Sequence, residues 1–169
     1  MLSPSSSIEA TATTTEGFCA LSYTPIDVNK VTSSVQDDGA GATAVFIGTT
    51  RNSFEGKSVT RLEYQAYSKL AIKTMADIMH EAAALVSRST HRTSSQAVPA
   101  LIRCAVHHRL GIVPVGEPSI VIAVSSPHRK EAFVACEWIL EEVKRKAQIW
   151  KREFYEGEDD NTAEWKANR

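Results

Sequence analysis

Basic residues are concentrated near the C-terminal end of the chain, in the stretch KRKAQIWKREFYEG at residues 144–157. Lys144 and Lys151 are seven residues apart, so a continuous helix would place them about two turns apart on one side. Ammonium groups beside the indole of Trp150 suit proton transfer or the binding of an anionic substrate. The alternative is that the cations at positions 144–146 only offset the dipole at a helix C-terminus.

A second basic cluster, His128 and Arg129, lies in the stretch SSPHRKEAF at residues 125–133. This stretch predicts the start of a helix, with Ser126 as the N-cap and Pro127 at the first helical position. Cationic side chains are unfavourable in a first helical turn unless an anion binds there. Backbone N–H groups, a guanidinium and an imidazole together favour a phosphate pocket. The alternative is screening of these charges by solvent and a nearby glutamate.

Arg51 is a third candidate, because it follows the apolar stretch ATAVFIGTT and precedes Asn52, a turn former. Its alternative role is that of a charge at the end of a strand, reaching only solvent. His107 and His108 are adjacent on a predicted strand and therefore point to opposite faces. The sequence thus predicts no metal site, and it contains no Ser-His-Asp pattern, glycine-rich phosphate loop or dinucleotide fingerprint.

The composition limits the class of protein. The chain has 169 residues, 43% of them hydrophobic, which is enough for one compact domain with a core. Lys and Arg number 19 against 20 Asp and Glu, whereas a generic polyanion binder would show a basic excess. Cys19, Cys104 and Cys136 have no zinc spacing and indicate reduced intracellular thiols. No apolar run reaches the length of a membrane span, so we expect a cytosolic protein.

We expect residues 1–17 to be a disordered N-terminal extension and residues 18–169 to form a single domain. The first stretch is rich in Ser and Thr and has neither the apolar segment of a secretory signal nor the arginines of a transit peptide. The polar stretch at residues 87–99 predicts a loop.

The remaining patterns predict the elements that position the basic residues. FCALSY at residues 18–23 and ATAVFIGTT indicate strands, and VTRLEYQAY indicates a half-buried strand partnering the latter. A helix is predicted over residues 68–86, and a second long helix begins at Ser126 and carries its apolar stripe through Ala147 to Trp150. The order β-α-β-β-α-β-β-β-α-β favours an α+β fold, with two main helices on a mainly antiparallel sheet.

Read together, the motifs resemble the family of large, catalytic subunits of molybdopterin synthase, in its eukaryotic form. The matching stretches are FIGTTRNSFEGKSVTRLEYQAY, HHRLGIVPVGEPSIVIAVSSPHRKEAF, and EEVKRKAQIWKREFYEG followed by EWKAN. They occur in the family's order and cover most of residues 39–168. The combination of SSPHR with a lysine seven residues before the lysine of WKRE is highly specific.

The resemblance implies a sulfurtransferase of molybdenum cofactor biosynthesis. Such an enzyme inserts two sulfurs into cyclic pyranopterin monophosphate and so forms the dithiolene of molybdopterin. The sulfur arrives as a thiocarboxylate on the C-terminal Gly-Gly tail of a small, ubiquitin-like subunit, and the transfer needs no metal or dissociable cofactor. A homodimer of large subunits within a heterotetramer is implied, as is an α/β-hammerhead-type fold with an additional antiparallel β subdomain.

The resemblance also assigns roles to residues. Lys144 and Lys151 match the family's catalytic pair, which also contacts substrate. Lys144 would meet the thiocarboxylate tail and Lys151 would exchange a proton with the pterin side chain. The further residues that match substrate-binding positions are Arg51, His128, Arg129, Arg152 and Glu153. The pocket could draw these residues from two large subunits. Gln148 departs from the family pattern, in which many members have proline.

Two other classes of function remain as alternatives. A binding module could recognise a flexible C-terminal tail through the same basic residues without catalysis. A single-stranded RNA binder could use Trp150, Tyr155 and the neighbouring cations, although the near-neutral net charge weighs against it.

Overall fold

The structure is a computed structural model that describes residues 6–88 and 99–169. Residues 1–5 and most of the predicted loop at residues 87–99 lie outside the described residues. The strands are β1 (Ala10–Thr13), β2 (Gly17–Ser22), β3 (Ala42–Thr49), β4 (Ser53–Phe54), β5 (Lys57–Ala66), β6 (Arg103–Arg109), β7 (Gly111–Pro114), β8 (Pro118–Ser126), β9 (Ile149–Tyr155) and β10 (Lys166–Ala167). The α-helices are α1 (Val28–Ser34), α2 (Ser68–Ser87) and α3 (Arg129–Lys146), and a 3₁₀ turn lies at Asp160–Thr162.

The first sheet has five strands in the order β1-β2-β6-β8-β3, with β2 and β6 parallel and the other pairs antiparallel. Its central strands are covered on both faces. Val106, Ile120 and Ile122 belong to the main core with α2 and α3, whereas Val121 and Ala123 pack with α1. Because β8 is buried on both faces, its sequence SIVIAVSS is a continuous run instead of an alternation.

The second sheet is antiparallel and has the order β10-β9-β5-β4, with β7 also paired to β5. Along β5 the side chains alternate between two faces. Leu62 and Tyr64 share one face, and Arg61 and Glu63 share the other. The sequence predicted that VTRLEYQAY pairs with β3, and this prediction is wrong. Most of this stretch belongs to β5, which pairs instead with β9, β7 and β4. The single predicted sheet is in fact two.

The core of the fold agrees with the predicted helical stripes. On α2 the buried residues include Met75, Met79, Ala82 and Val86, and Ile72 packs at the edge of the same cluster. A buried stripe also runs along α3. The fold is thus a mixed α/β arrangement of two sheets and three α-helices within the described residues. None of the helices in this part of the chain is both long and apolar enough to span a membrane.

The predicted disorder of residues 1–17 is wrong for residues 10–13, which form β1. Ala10–Thr13 pairs antiparallel with β2, in a register that joins Ala10 to Leu21. The turn between the strands closes because the Thr14 hydroxyl accepts hydrogen bonds from two following backbone N–H groups. The Ser/Thr-rich composition suggested disorder, but alternating Ala and Thr also fits a strand at the edge of a sheet.

The long helix α3 starts later than the sequence predicted. Ser126 still pairs with Ala42 in the first sheet, and its hydroxyl donates to the carbonyl of His128. Ser126 is therefore the last residue of β8, His128 is the N-cap, and Arg129 is the first helical residue.

Candidate active site

A cavity of about 200 Å³ has lining residues from both sheets and from α3. Among its polar and charged lining residues are Arg51, His108, Lys144, Lys151, Glu153 and Asn168. The apolar part of the wall includes Phe46 and Leu62. Four residues that were predicted as site residues, Arg51, Lys144, Lys151 and Glu153, are thus brought to one cavity.

Lys144 and Lys151 both line the cavity, but the elements that place them there differ from the predicted single helix. A continuous helix from Lys144 to Lys151 is wrong, because α3 ends at Lys146 and Ala147 has an extended backbone with φ −69° and ψ 140°. The chain then enters β9, where Lys151 pairs with Tyr64 of β5. Lys144 comes from the last turn of a helix and Lys151 from a strand. Two different elements therefore present the two ammonium groups to the same cavity.

Lys144 differs from the two cations that follow it. Arg145 donates to both oxygens of Glu142, at 3.1 and 2.8 Å, and Lys146 lies 2.7 Å from the same carboxylate and 3.1 Å from Glu81. Hydrogen bonds from Arg145 and Lys146 hold the pKa of Glu142 below its usual value. Lys144 forms no salt bridge within residues 6–88 and 99–169. Its charge is thus available to an anion in the cavity.

Lys151 belongs to a small polar cluster on the inner face of β9. Its Nζ lies 3.6 Å from Oε1 of Glu153, whose side chain is only 9% exposed. The hydroxyl of Tyr155 donates to the other oxygen of Glu153. Desolvation and this contact with a carboxylate raise the pKa of Tyr155 to about 12, so the phenol stays protonated at neutral pH. The protonated phenol of Tyr155 and the carboxyl group of Glu153 thus lie on the same face of β9 as the ammonium of Lys151.

Arg152 lies on the opposite face of β9, as expected for the residue between Lys151 and Glu153 in a strand. Its Nε donates to Glu63 at 2.6 Å, and its guanidinium lies over the ring of Trp165 at 4.8 Å. Arg152 does not line the cavity. It instead ties β9 to β5 and to the segment that leads into β10.

His128 and Arg129 also lie away from the cavity. Both are exposed at the N-terminal end of α3, and the His128 side chain makes no capping hydrogen bond. Lys144 is near the other end of the same helix, about 22 Å away along its axis. A single chain therefore does not bring these two basic clusters to one small molecule.

Other lining residues were not predicted as site residues, among them His108, Asn168 and Arg169. The sequence placed His107 and His108 on opposite faces, and the structure confirms this: His108 contacts the ring of Tyr64 and His107 that of Phe18. In the described part of the chain, no three His, Cys, Asp or Glu side chains are close enough to hold a metal ion. Asn168 lies in EWKAN, a stretch that matches the family, but the match assigned it no role, and its partner His108 is 60 residues away.

Comparison with known proteins identifies the family. A family model described as "MoaE protein" matches residues 21–146. A protein of Culex quinquefasciatus named molybdopterin synthase catalytic subunit is 40% identical over 152 residues, which cover 90% of this chain and 88% of that protein. A protein of Pyricularia oryzae with the same name is 43% identical over 152 residues, covering 90% of this chain and 75% of that one.

Among solved structures, the crystal structure of molybdopterin synthase from Staphylococcus aureus matches with a TM-score of 0.73 and 30% sequence identity. The match covers 86% of this chain and 94% of that chain. The resemblance inferred from the sequence motifs is thereby confirmed. Since the family model spans most of the chain and relatives align over nine-tenths of it, the chain belongs to the MoaE protein family, in which these relatives are molybdopterin synthase catalytic subunits.

Proposed function

We propose that this protein is the catalytic subunit of a molybdopterin synthase. It would transfer sulfur from the C-terminal thiocarboxylate of a small, ubiquitin-like subunit to cyclic pyranopterin monophosphate, which forms the dithiolene of molybdopterin. The observation that carries the proposal is the single cavity that holds Lys144, Lys151 and Arg51. Arg169 also lines this cavity, and four cations in a cavity of this size suit a phosphorylated substrate and the anionic tail of a partner.

The surroundings of the two lysines suggest how they divide the work. Lys144 has no carboxylate partner in the described residues, so it would bind the thiocarboxylate and stabilise the charge that develops as sulfur leaves the acyl carbon. Lys151 is 3.6 Å from Glu153 and would exchange a proton with the pterin side chain. Arg51 would bind the phosphate. Substrate binding by Arg152 stays a prediction. From its position on the opposite face of β9, Arg152 would stabilise the strand that carries Lys151.

The sulfur is delivered by the thiocarboxylate, so the transfer itself would need no metal or dissociable cofactor. The partner would insert its flexible Gly-Gly tail into the cavity between the two sheets. We also propose a cytosolic location, and an α/β-hammerhead-type fold in which the sheet of β4, β5, β7, β9 and β10 is the additional antiparallel subdomain.

We propose further that two copies of the chain pair at the centre of a heterotetramer and complete each other's sites. His128 and Arg129 match substrate-binding positions of the family, yet they lie about 22 Å along α3 from Lys144. In an isologous dimer, the start of one α3 helix could approach the cavity of the other chain. Each site would then combine lysines of one chain with the imidazole and guanidinium of its partner.

A single-turnover assay tests the proposed reaction. The protein would be mixed with cyclic pyranopterin monophosphate and a thiocarboxylated small subunit, and the dithiolene product would be oxidised to its fluorescent derivative. We expect Lys144→Ala and Lys151→Ala each to slow turnover by about a hundredfold or more, as loss of a charge that acts in the transition state does. Affinity for the small subunit should change little.

Lys146→Ala is the matched control. Lys146 is in the same basic stretch, but its ammonium is already bound by Glu142 and Glu81, so turnover should stay near that of the wild type. A wild-type protein that forms a stable complex with verified thiocarboxylate yet yields no product would contradict the synthase proposal. Loss of complex formation in step with turnover would favour the tail-binding module.

A further inference from the structure

His108 is an ionisable side chain that is almost completely buried beside the proposed site. It lies on β6 with 1% of its surface exposed and makes an edge contact with the ring of Tyr64, at 4.9 Å between centroids. Its two ring nitrogens have different partners. Nδ1 is 2.8 Å from the carbonyl oxygen of Arg109, and Nε2 is 3.1 Å from the side-chain nitrogen of Asn168.

These partners define a single protonation state. A carbonyl oxygen can only accept, so Nδ1 carries the proton and donates it to Arg109. The Nδ2 of an asparagine can only donate, so Nε2 of His108 accepts with its lone pair. Burial lowers the pKa of His108 to about 4, which keeps the ring neutral near pH 7. The opposite orientation of the amide would require a proton on both nitrogens and hence a buried cation.

The orientation of the Asn168 amide is consequently set by the hydrogen bond at its nitrogen end. Its Nδ2 is bound by His108, and its backbone N–H donates to the carbonyl oxygen of Ile149 at 3.1 Å. The preceding strand β10 pairs with β9 in a register that joins Lys166 to Lys151. Asn168 itself lines the cavity, and its Oδ1 makes no hydrogen bond to the described part of the chain. The carbonyl end of the amide is therefore the end available to a ligand.

We propose that Asn168 is a substrate-binding residue of this site and that His108 is the positioning residue that sets the orientation of its amide. With Nδ2 occupied, Asn168 offers Oδ1 as an acceptor for an N–H group of the bound heterocycle. A pterin ring carries such donors along its aminopyrimidinone edge. The pair would select a ligand with a donor edge next to the phosphate-binding cations. This inference rests on the proposed function for the identity of the ligand.

Direct titration calorimetry with cyclic pyranopterin monophosphate tests the pair without requiring turnover. We expect Asn168→Ala to weaken binding about tenfold, the usual effect of one lost hydrogen bond in a partly buried site. His108→Asn keeps a donor near the Nδ1 position but cannot reach Asn168, and should weaken binding equally. His108→Gln places an amide near the Nε2 position and should restore most of the affinity. The double variant His108→Asn, Asn168→Ala should bind no more weakly than either single one.

Asn161→Ala is the matched control, since Asn161 lies in the same C-terminal segment and, among the residues that the structure describes, its side chain bonds only to Asp159. In the single-turnover assay with the pterin concentration varied, Asn168→Ala should raise the half-saturating pterin concentration and leave the maximal rate near the wild-type value, which loss of stability alone would not do. Unchanged pterin affinity in Asn168→Ala, or equal losses in the two His108 variants, would overturn the inference. Tight, Asn168-dependent binding with no turnover would instead overturn the proposed reaction and leave this inference standing. Absence of pterin binding by the wild type would overturn both.

Discussion

The adjacent residues His107 and His108 have identical side chains but differ in burial and in hydrogen-bond partners. His107 is half-buried against Phe18, whereas His108 is buried among Tyr64, Asn168 and the Arg109 carbonyl. Burial lowers the pKa of both. The tyrosine that faces His108 is uncharged, because burial raises the pKa of Tyr64 above its usual value. A buried neutral imidazole of this kind makes stability depend on pH.

We predict that His108 destabilises the fold as the pH falls from 6.5 towards 4. In that window the unfolded chain binds a proton at this residue and the folded chain does not, so acid favours unfolding. The full difference between the two pKa values corresponds to about 3 kcal/mol. Urea unfolding of the wild type and His108→Gln at pH 7.5 and pH 4.5 measures it, and we expect the variant to lose less free energy of unfolding. Equal losses would show that His108 is not buried in the neutral form.

Some site residues could be predicted from the sequence and others could not. Arg51, Lys144 and Lys151 stand out as cations at positions that the overall charge does not require and as parts of motifs that resemble a family, whereas Glu153 was found through the resemblance alone. Asn168 was not singled out in this way, although it lies in the matching stretch EWKAN. Its proposed role depends on a contact with a histidine 60 residues earlier, which forms only in the folded chain, where β10 pairs with β9.

At the scale of elements, periodicity predicted the helices well and the end of α3 poorly. The apolar positions Val143, Ala147 and Trp150 keep a helical spacing, so the sequence predicts a helix that continues through Lys151. In the structure the helix ends before Gln148, and Gln148 contacts α2 and Tyr67, the residue that precedes α2. The backbone N–H of Tyr67 donates to the carbonyl of Gln148 at 3.0 Å, and the Thr74 hydroxyl donates to the Gln148 side chain. Long-range contacts such as these override local propensity and are not visible in the spacing of residues.

Gly17, at the start of β2, allows the close approach of β2 to β6. A Cβ at this position would lie 1.7 Å from the carbonyl oxygen of Cys104, a backbone atom that cannot move alone. We predict that Gly17→Ala lowers the free energy of unfolding by about 3 kcal/mol, because the parallel pair must separate. Gly56→Ala is the control. Gly56 also has a positive φ, +79° against +156° for Gly17, but it has open space around it, and its substitution should cost about 1 kcal/mol. Equal losses in urea unfolding would show that backbone conformation, and not the contact with Cys104, sets the cost.

At the scale of the whole molecule, the two basic clusters that we assign to the proposed reaction lie at opposite ends of α3 in one chain. Arg51, Lys144 and Lys151 line the cavity, whereas His128 and Arg129 are exposed at the helix start. If the second cluster serves a partner chain, each site of a dimer contains residues from both copies. A dimer of two chains with different substitutions would then contain one site built entirely from unsubstituted residues.

Dimers that combine a Lys151→Ala chain with an Arg129→Ala chain test this arrangement. With two affinity tags, only mixed dimers would be purified and assayed with the thiocarboxylated small subunit. Such a dimer has one site with both defects and one with neither, so we expect about half of the wild-type turnover per dimer. Homodimers of either variant should be nearly inactive. The reciprocal dimer, a wild-type chain with a chain carrying both substitutions, should also be nearly inactive, because each of its sites has one defect. If each site were built within a single chain, the opposite results are expected. The dimer of the two single variants would be nearly inactive, and the reciprocal dimer would keep about half of the turnover, because its wild-type chain has an intact site.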